Sequence, residues 1–491
     1  MPPYPPQSLR HLSDPVGAGP LTDPDAEGES GAAACGDLVR IALRIDRGRI
    51  REARFMAFGC GALQAAASAA CERITGANPL DALRLGADEL DRDLGGLGPV
   101  RRHGIDAVID ALARALEGWY SARLGEVGIP LDGGTVAVAM SGGVDSAVSA
   151  LLLRDAGYRV VGVTMRLWHD PAAARAERSC CSPQTVQLAR RTAHRLGIPH
   201  LTLDVAEDFR RGVVESFVAG YEAGRTPNPC ITCNGTVRFR ILAQAAALLG
   251  ARGLATGHYA RVRRTDGGRA TIARAADERK DQSYMLSLLP ASIRERLHFP
   301  LGELTKPEVR ARAHAADLEA ADAVESQEVC FVGQGGHVPF LERSGIAPRT
   351  GDILDEDGRR LGTHSGYWRY TVGQRRGIGI AAGEPLYVLA TDRATNTVTV
   401  GPREHLGVAR LVLEGAQVSG ELGGDPLDVR VRYRGRSLRG HAEQRDGVVN
   451  VTLLDVADGV APGQTAALYR DGRLVAAGTI AAAPRIERRR E

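Results

Sequence analysis

The chain has 491 residues, 44% of them hydrophobic and 25% charged, with Lys+Arg 62 against Asp+Glu 59 for a net charge of +3; this is the balance of a soluble globular protein of about two to four domains. No run of about 18 uncharged apolar residues occurs, which excludes an ordinary membrane-spanning helix, and the near-neutral charge confines any nucleic-acid surface to a local patch. Eight cysteines follow a Met-Pro-Pro-Tyr-Pro-Pro start that has neither a basic region nor an apolar core, which predicts cytoplasmic thiol or metal chemistry rather than a secreted disulfide framework.

Residues 1–30, rich in Pro, Gly and Asp, predict a poorly ordered lead-in. From Asp37 to Phe58 apolar residues alternate on either side of Asp46-Arg47-Gly48, the pattern of a hairpin. Helices over Gly61–Arg73 and Ile105–Trp119 complete an α+β domain at 31–125. The Gly-rich stretch at 126–134 reads as a linker. Strand Val136–Met140, helix 146–155, strand Val160–Met165, helix 184–196, strand His200–Val205, helices 207–220 and 237–249 and strand Leu254–Thr256 then alternate within 135–335. That is an α/β doubly wound parallel sheet, with its ligand at the strand ends. Residues 336–390 read as a small linking module and 391–486 as a C-terminal β-barrel, with strand candidates Pro385–Thr391, Thr397–Val400, Asp428–Tyr433, Val448–Leu454 and Thr465–Tyr469. The basic tail at 487–491 reads as a solvated end.

The most informative stretch is Ala139-Met140-Ser141-Gly142-Gly143-Val144-Asp145-Ser146, placed between a buried strand and a helix. Gly142 and Gly143 let backbone N–H groups approach an anion, and the helix start adds unpaired donors and partial positive charge. This is a phosphate cradle, and it lacks the Gly-Lys-Ser/Thr of the Walker loop. It resembles the PP-loop of ATP pyrophosphatases, which split ATP into AMP and pyrophosphate while adenylating a substrate.

Downstream, Thr226-Pro-Asn-Pro-Cys230-Ile-Thr-Cys233-Asn234 sets a C-x-x-C behind a proline-stiffened turn, and Cys330 stands alone in Ser326–Phe331. By themselves these could be half a zinc site or a redox pair; the adjacent Cys180 and Cys181 read as incidental thiols. Together with Met165, Thr256-Gly257-His258-Tyr259, Lys280-Asp281-Gln282-Ser283-Tyr284 and Tyr370–Gly379, they follow one another as in tRNA-specific 2-thiouridylases, which the chain resembles from about 135 to 485.

That resemblance implies ATP and Mg²⁺ at Ala139–Ser146, with Met165 and Gly257 lining the adenosine pocket. It implies tRNA contacts at Asn228, Pro229, Cys230, Lys280, Asp281, Gln282, Arg432 and Tyr433, with Arg375 and Arg376 as further phosphate contacts, and it suggests the tRNAs for Lys, Glu and Gln. Cys233 is then the sulfur-accepting nucleophile and Cys330 its partner, which releases product by forming a disulfide. Relatives often carry Asp at the place of Cys230. The three-cysteine form here leaves a second scheme open, in which Cys230, Cys233 and Cys330 ligate a 4Fe–4S cluster.

Residues 30–120 carry Ala34-Cys35-Gly36-Asp37 and Phe58-Gly59-Cys60-Gly61, and resemble an iron–sulfur scaffold of the NifU/IscU type. The family's third cysteine is absent: the chain reads Arg102-His103-Gly104. Cys35, Asp37, Cys60 and His103 remain as four ligands for zinc or iron, or the domain docks a cysteine desulfurase or sulfur-relay protein that feeds Cys233. Cys71, one helix on, reads as a buried small residue. The rival functions are another PP-loop adenylating enzyme and an iron–sulfur carrier with a vestigial nucleotide fold.

Overall fold

A computed structural model describes residues 4–32, 36–126, 134–170, 183–265, 267–322, 329–332 and 335–486. The chain opens with α1 (Pro6–Ser13), followed by β1 (Ala26–Ala32), β2 (Asp37–Asp46) and β3 (Arg49–Phe58), an antiparallel sheet in that order. Arg47 and Gly48 between β2 and β3 both take positive φ, 48° and 70°, as a two-residue hairpin turn requires. Then come α2 (Gly61–Ile74), α3 (Pro79–Ala82), α4 (Ala87–Asp93) and α5 (Arg102–Ser121). Small residues let α5 lie close to its neighbours. A Cβ on Gly28 of β1 would stand 2.2 Å from the Ala111 carbonyl oxygen.

The expected disorder of residues 1–30 does not hold for the described part. Proline at the first helical position suits the start of α1, Ser8 Oγ donates to the Leu94 carbonyl (2.7 Å), and His11 Nδ1 meets Ser68 Oγ (2.8 Å). β1 pairs along its whole length with β2, from Ala26↔Leu43 to Ala32↔Asp37. Composition suggested a floppy segment, but long-range pairing satisfies its backbone.

The second unit runs β4 (Thr135–Ala139), α6 (Val144–Asp155), β5 (Arg159–Arg166), α7 (Pro183–Arg195), β6 (His200–Asp204), α8 (Ala206–Phe209) and α9 (Glu215–Glu222), the last two joined by a π turn at Arg210–Val214. It continues through α10 (Pro229–Thr232), a second π turn at Cys233–Arg238, α11 (Phe239–Leu248), β7 (Gly253–Thr256), β8 (Arg261–Arg264), β9 (Ala270–Ala273), α12 (Ala291–Arg294), β10 (Leu297–His298) and α13 (Lys306–Ala315). The sheet order is β10-β7-β4-β5-β6, every neighbour parallel. Its strands are apolar on both faces (Val136, Ala137, Val138, Val161 and Val163 are buried) because helices cover both.

The N-terminal unit closes the β6 edge. Glu117 Oε1 of α5 accepts from the Thr202 backbone N–H (3.1 Å), and the largely buried Arg190 of α7 bridges to Asp110 (2.8 Å) and Glu117 (3.0 Å). His194 meets the Leu83 carbonyl at 3.3 Å. Desolvation holds His194 at about 4, His258 at about 3 and His200 well below its ordinary 6.5. The unfolded chain binds these protons near pH 6.5, so their neutral burial supports the fold fully above that value and progressively less as pH falls toward 3. The urea midpoint is expected to be flat from pH 7 to 8 and to fall steadily below pH 6, with a shallower fall in His194→Gln. An equal slope in parent and variant would remove His194 from this account.

Beyond α14 (His337–Arg343) lie β11 (Gly351–Leu354), β12 (Arg360–His364), β13 (Tyr387–Asp392) and β14 (Thr397–Gly401), a sheet ordered β12-β11-β14-β13. Then β15 (Gly407–Val418), β16 (Leu427–Arg430), β17 (Leu438–Arg445), β18 (Val448–Asp458), β19 (Thr465–Arg470) and β20 (Arg473–Ala482) form a barrel that closes where β15 pairs with β20. Two expectations need correction, and one pairing crosses between units. Thr397–Gly401, assigned by sequence to the barrel, pairs instead with β11 and β13, so the unit begun at 336 extends past 390 to at least 401. Strand β16 stops at Arg430 because the chain turns at Arg434, whose φ is 58°. And hairpin β8–β9 leaves its own unit to join the barrel at Ala273↔Arg473.

Candidate active site

Every element that builds the site ends on one edge of the parallel sheet. Ala139 closes β4, Met165 and Arg166 close β5 and Thr256 closes β7. The run of α10, the second π turn and α11 leads into the opposite end of β7, which sets its beginning, with Cys230 and Cys233, on the side of Ser141.

In the loop after β4, Ser146 Oγ accepts from the Ser141 N–H (3.1 Å) and donates to the Gly143 carbonyl (2.9 Å). That clasp bends Ser141–Ser146 into a cup at the start of α6, where a helix's first backbone N–H groups favour an anion. Gly142 has φ 75°, and a Cβ there would stand 2.4 Å from the Thr185 carbonyl oxygen. A Cβ on Gly257 would stand 2.7 Å from Ser146 N. Met140, Val144 and Met165 are buried, Ala139 partly so. Asp145, in the first turn of α6, accepts from Tyr259 OH (2.9 Å) and pairs with Lys306 Nζ (2.7 and 2.8 Å to its two oxygens). Sequence reasoning passed over Lys306, since nothing local in Thr305-Lys306-Pro307-Glu308 beyond a helix cap marks it.

The thiol segment is held from the barrel. The Thr226 N–H donates to the Pro462 carbonyl (2.8 Å) and Gln464 Nε2 donates to the Thr226 carbonyl (2.7 Å). Asn228 Oδ1 caps α10, accepting from Cys230 N (3.2 Å) and Ile231 N (3.3 Å). Cys230 is exposed, and Cys233, 6% exposed, begins the π turn, a widening frequent at functional sites. Cys330 is half-buried and its neighbour Phe331 packs edge-on to Phe209 and Phe217 (centroids 5.7 and 5.4 Å apart). Val237 of the π turn packs on Gly212, in the same α8–α9 run. Both thiol segments therefore rest on one helical support. Cys233 and Cys330 are not joined by a disulfide here, the state that precedes the one expected at product release. Cys35, Cys180, Cys181 and 326–328 lie outside the described residues.

Of the expected RNA contacts, Cys230 and Arg432 are exposed and Asn228, Lys280, Gln282 and Tyr433 half-buried. Pro229 and Asp281 are buried. Pro229 opens α10 from inside the core. Asp281 accepts from Ala275 N (3.1 Å), Ser283 N (3.1 Å) and Ser283 Oγ (3.0 Å) and pairs with Arg430 of the barrel (2.9 Å). Gln282 Oε1 accepts from Tyr259 N (2.9 Å), steadying the tyrosine on Asp145. Arg375 and Arg376 are exposed on the central unit.

The N-terminal unit gathers its own cluster. Asp37 Oδ2 lies 2.9 Å from His103 Nε2 and 3.3 Å from Cys60 Sγ, and the sulfur is 3.7 Å from the ring nitrogen. All three donor atoms fall within 4.8 Å of one another. Burial pushes the Cys60 thiol up, and Asp37 beside it adds to the shift. Leu38 (39% exposed), Phe58 (67%) and Val100 (70%) form an apolar rim around it. Cys71 is fully buried, its thiol pushed up to about 12 by burial.

Residues 3–125 match the NifU-like N terminal domain, 134–334 the tRNA methyl transferase HUP domain, 339–402 the tRNA methyl transferase PRC-barrel domain and 423–480 the aminomethyltransferase beta-barrel domain. The chain is 45% identical to the bifunctional protein NifU/MnmA of Rubrobacter xylanophilus, over 98% of both chains. It is 44% identical to the tRNA-specific 2-thiouridylase MnmA of a Bradyrhizobium species, over 68% of this chain and 86% of that one. Against the enzyme of the same name from Sorangium cellulosum the identity is 44%, over 76% and 98%.

Proposed function

The chain belongs to the bifunctional NifU/MnmA family, a tRNA 2-thiouridylase fused to a NifU-like domain, and from that premise we propose how its parts divide one reaction. Oxygen leaves a uracil carbonyl poorly. The cup at Ser141–Ser146 holds ATP so that the wobble uridine's O2 attacks the α-phosphorus, pyrophosphate departs, and the oxygen becomes part of an AMP leaving group. Mg²⁺, which the Asp145 carboxylate suits, neutralises phosphate charge when bound. A persulfide on Cys233 then attacks C2 through its outer sulfur and AMP leaves with the oxygen. Attack by Cys330 on Cys233 Sγ breaks the S–S bond, frees the 2-thiouridine and leaves a disulfide, which an external thiol reduces. The observation that carries this reading is the common sheet edge shared by the cup and the Cys233 helix start. Turnover of ATP to AMP that requires unmodified tRNA of the Lys, Glu or Gln type, with 2-thiouridine found by nucleoside mass spectrometry, tests it. AMP formation indifferent to tRNA counts against it.

A second reading assigns Cys230, Cys233 and Cys330 to a 4Fe–4S cluster, favoured by the additional exposed thiol at 230. Iron and sulfide analysis of anaerobically purified protein separates the two. About four irons per chain bound through these cysteines selects the cluster, and none selects the persulfide.

For the NifU-like unit we propose a single zinc or iron ion rather than a cluster. Asp37, Cys60 and His103 are spaced for one ion. At the place of the third cysteine, a Cβ on Gly104 would stand 2.9 Å from Leu63 N and 3.1 Å from Leu63 Cα. His103→Ala is expected to lower zinc from about one per chain to below about 0.2, read by atomic emission. Gly104→Cys is expected to destabilise by about 1–3 kcal/mol through overpacking and to gain no cluster absorption on reconstitution; a brown, equally stable protein would reverse this assignment. The apolar rim suits a cysteine desulfurase as the cytoplasmic sulfur donor.

A further inference from the structure

Lys280 and Lys306 are the only lysines in the chain; every other one of its 62 basic residues is arginine. Lys306 is also among the most secluded cations, 8% exposed at the first turn of α13. Its placement is tightly set. Glu308 accepts from both N and Oγ1 of Thr305 (2.7 and 2.8 Å), and the Lys306 backbone N–H donates to Asp277 (3.1 Å), so the helix start cannot drift. From there Nζ reaches both oxygens of Asp145, 161 positions earlier, over the Tyr259 ring (5.9 Å).

The nucleotide cup has no basic side chain of its own, since Ala139–Ser146 contains none. Backbone N–H groups alone supply only partial charges to a triphosphate. A compact ammonium on a flexible stem can exchange one oxyanion partner for another, whereas a guanidinium is a planar fork fitted to a fixed one. Charge makes the same point. Asp145 needs a cation while the cup is empty, and a metal-bearing nucleotide brings one.

We propose that Lys306 is the cation of the nucleotide site. It rests on Asp145 when the cup is empty and turns to the phosphate oxygens of ATP, and of the departing pyrophosphate, when Asp145 faces the nucleotide's divalent ion. The inference rests on the adenylation chemistry above and adds a residue to it. Lys306 neutralises the charge that grows on the bridging oxygen as the α–β phosphate bond breaks; no proton need be transferred.

The full-length protein, Lys306→Met and Lys306→Arg decide this through binding of magnesium pyrophosphate by calorimetry and tRNA-dependent AMP formation. Lys306→Met is expected to bind pyrophosphate at least 10-fold more weakly and to form AMP at least 100-fold more slowly, with tRNA affinity within twofold of the parent. Lys306→Arg is expected to fold with the parent's melting temperature and still lose at least 10-fold in AMP formation. Should Lys306→Met fail to fold, the arginine variant carries the test. Pyrophosphate affinity and AMP formation within threefold of the parent in every folded variant would overturn the proposal and leave a purely structural ion pair. If the parent forms no AMP with tRNA, the thiolation reading fails by itself, while the pyrophosphate comparison still judges Lys306.

Discussion

Cys233→Ser is expected to make no 2-thiouridine above background, a fall of at least about 1,000-fold, the order seen when a covalent nucleophile is removed. A serine hydroxyl is close in shape to the thiol but cannot hold a second sulfur. Cys233 is 6% exposed at the head of a fixed π turn, so no outside thiol takes its place. Cys230, three positions earlier, is exposed, whereas Cys233 is buried. The nucleotide half of the reaction should survive, because Ser141–Ser146 and Lys306 are untouched. Pyrophosphate is therefore expected in a single burst of at most about one per enzyme, from tRNA adenylated and then stranded. Rapid-quench assay of pyrophosphate beside mass spectrometry of the nucleosides reads both halves. Normal 2-thiouridine formation would move the nucleophile to another cysteine.

The second large effect is on stability. Arg190→Met is expected to destabilise the protein by about 3–5 kcal/mol, the cost of stranding buried charge. Its guanidinium bridges Asp110 and Glu117 across the junction of two units, and its side chain is only 12% exposed. The two acids respond differently. Arg190 and its neighbours hold Asp110 below the usual carboxylate range despite burial, whereas burial dominates at the more enclosed Glu117 and pushes it up. Without the arginine, Glu117 is the one that takes up a proton. The deficit should therefore shrink as pH falls from 7 toward 5, where the proton substitutes for the lost cation. Urea melts at both pH values check this, and Arg190→Met with Glu117→Gln should recover part of the loss at pH 7. A variant as stable as the parent would mean that the junction is wet rather than sealed.

What could be read from the sequence was what is local. The β4, β5 and β7 strands are short apolar runs, the Arg47-Gly48 turn declares its hairpin, and the Ser-Gly-Gly-x-Asp-Ser cup carries its own strand-to-helix context. Of the four ligands expected together, Asp37, Cys60 and His103 do cluster, and Cys35 lies outside the described residues. The failures are non-local. Strand β8 reads Arg-Val-Arg-Arg, without apolar alternation, because it is an outer strand paired only with β9, and it is β9 that meets the barrel far along the chain. The pairing of Asp281 with Arg430, 149 positions away, has no local signal either. Lys306 escaped for the same reason: its meaning lies in a carboxylate on another helix. The lead-in was misjudged because glycine and proline mark disorder and close packing alike, and Gly28 beneath α5 is the second kind.

The way α5 lies along β6 bears on how a fused gene is used. Glu117 on Thr202, Arg190 on two acids and His194 on Leu83 all bind groups outside the peptide between 126 and 134. A protease nick in that stretch leaves every one of them in place. Covalent continuity thus serves biosynthesis more than cohesion: it delivers the two halves in equal numbers to an interface that then keeps its own grip.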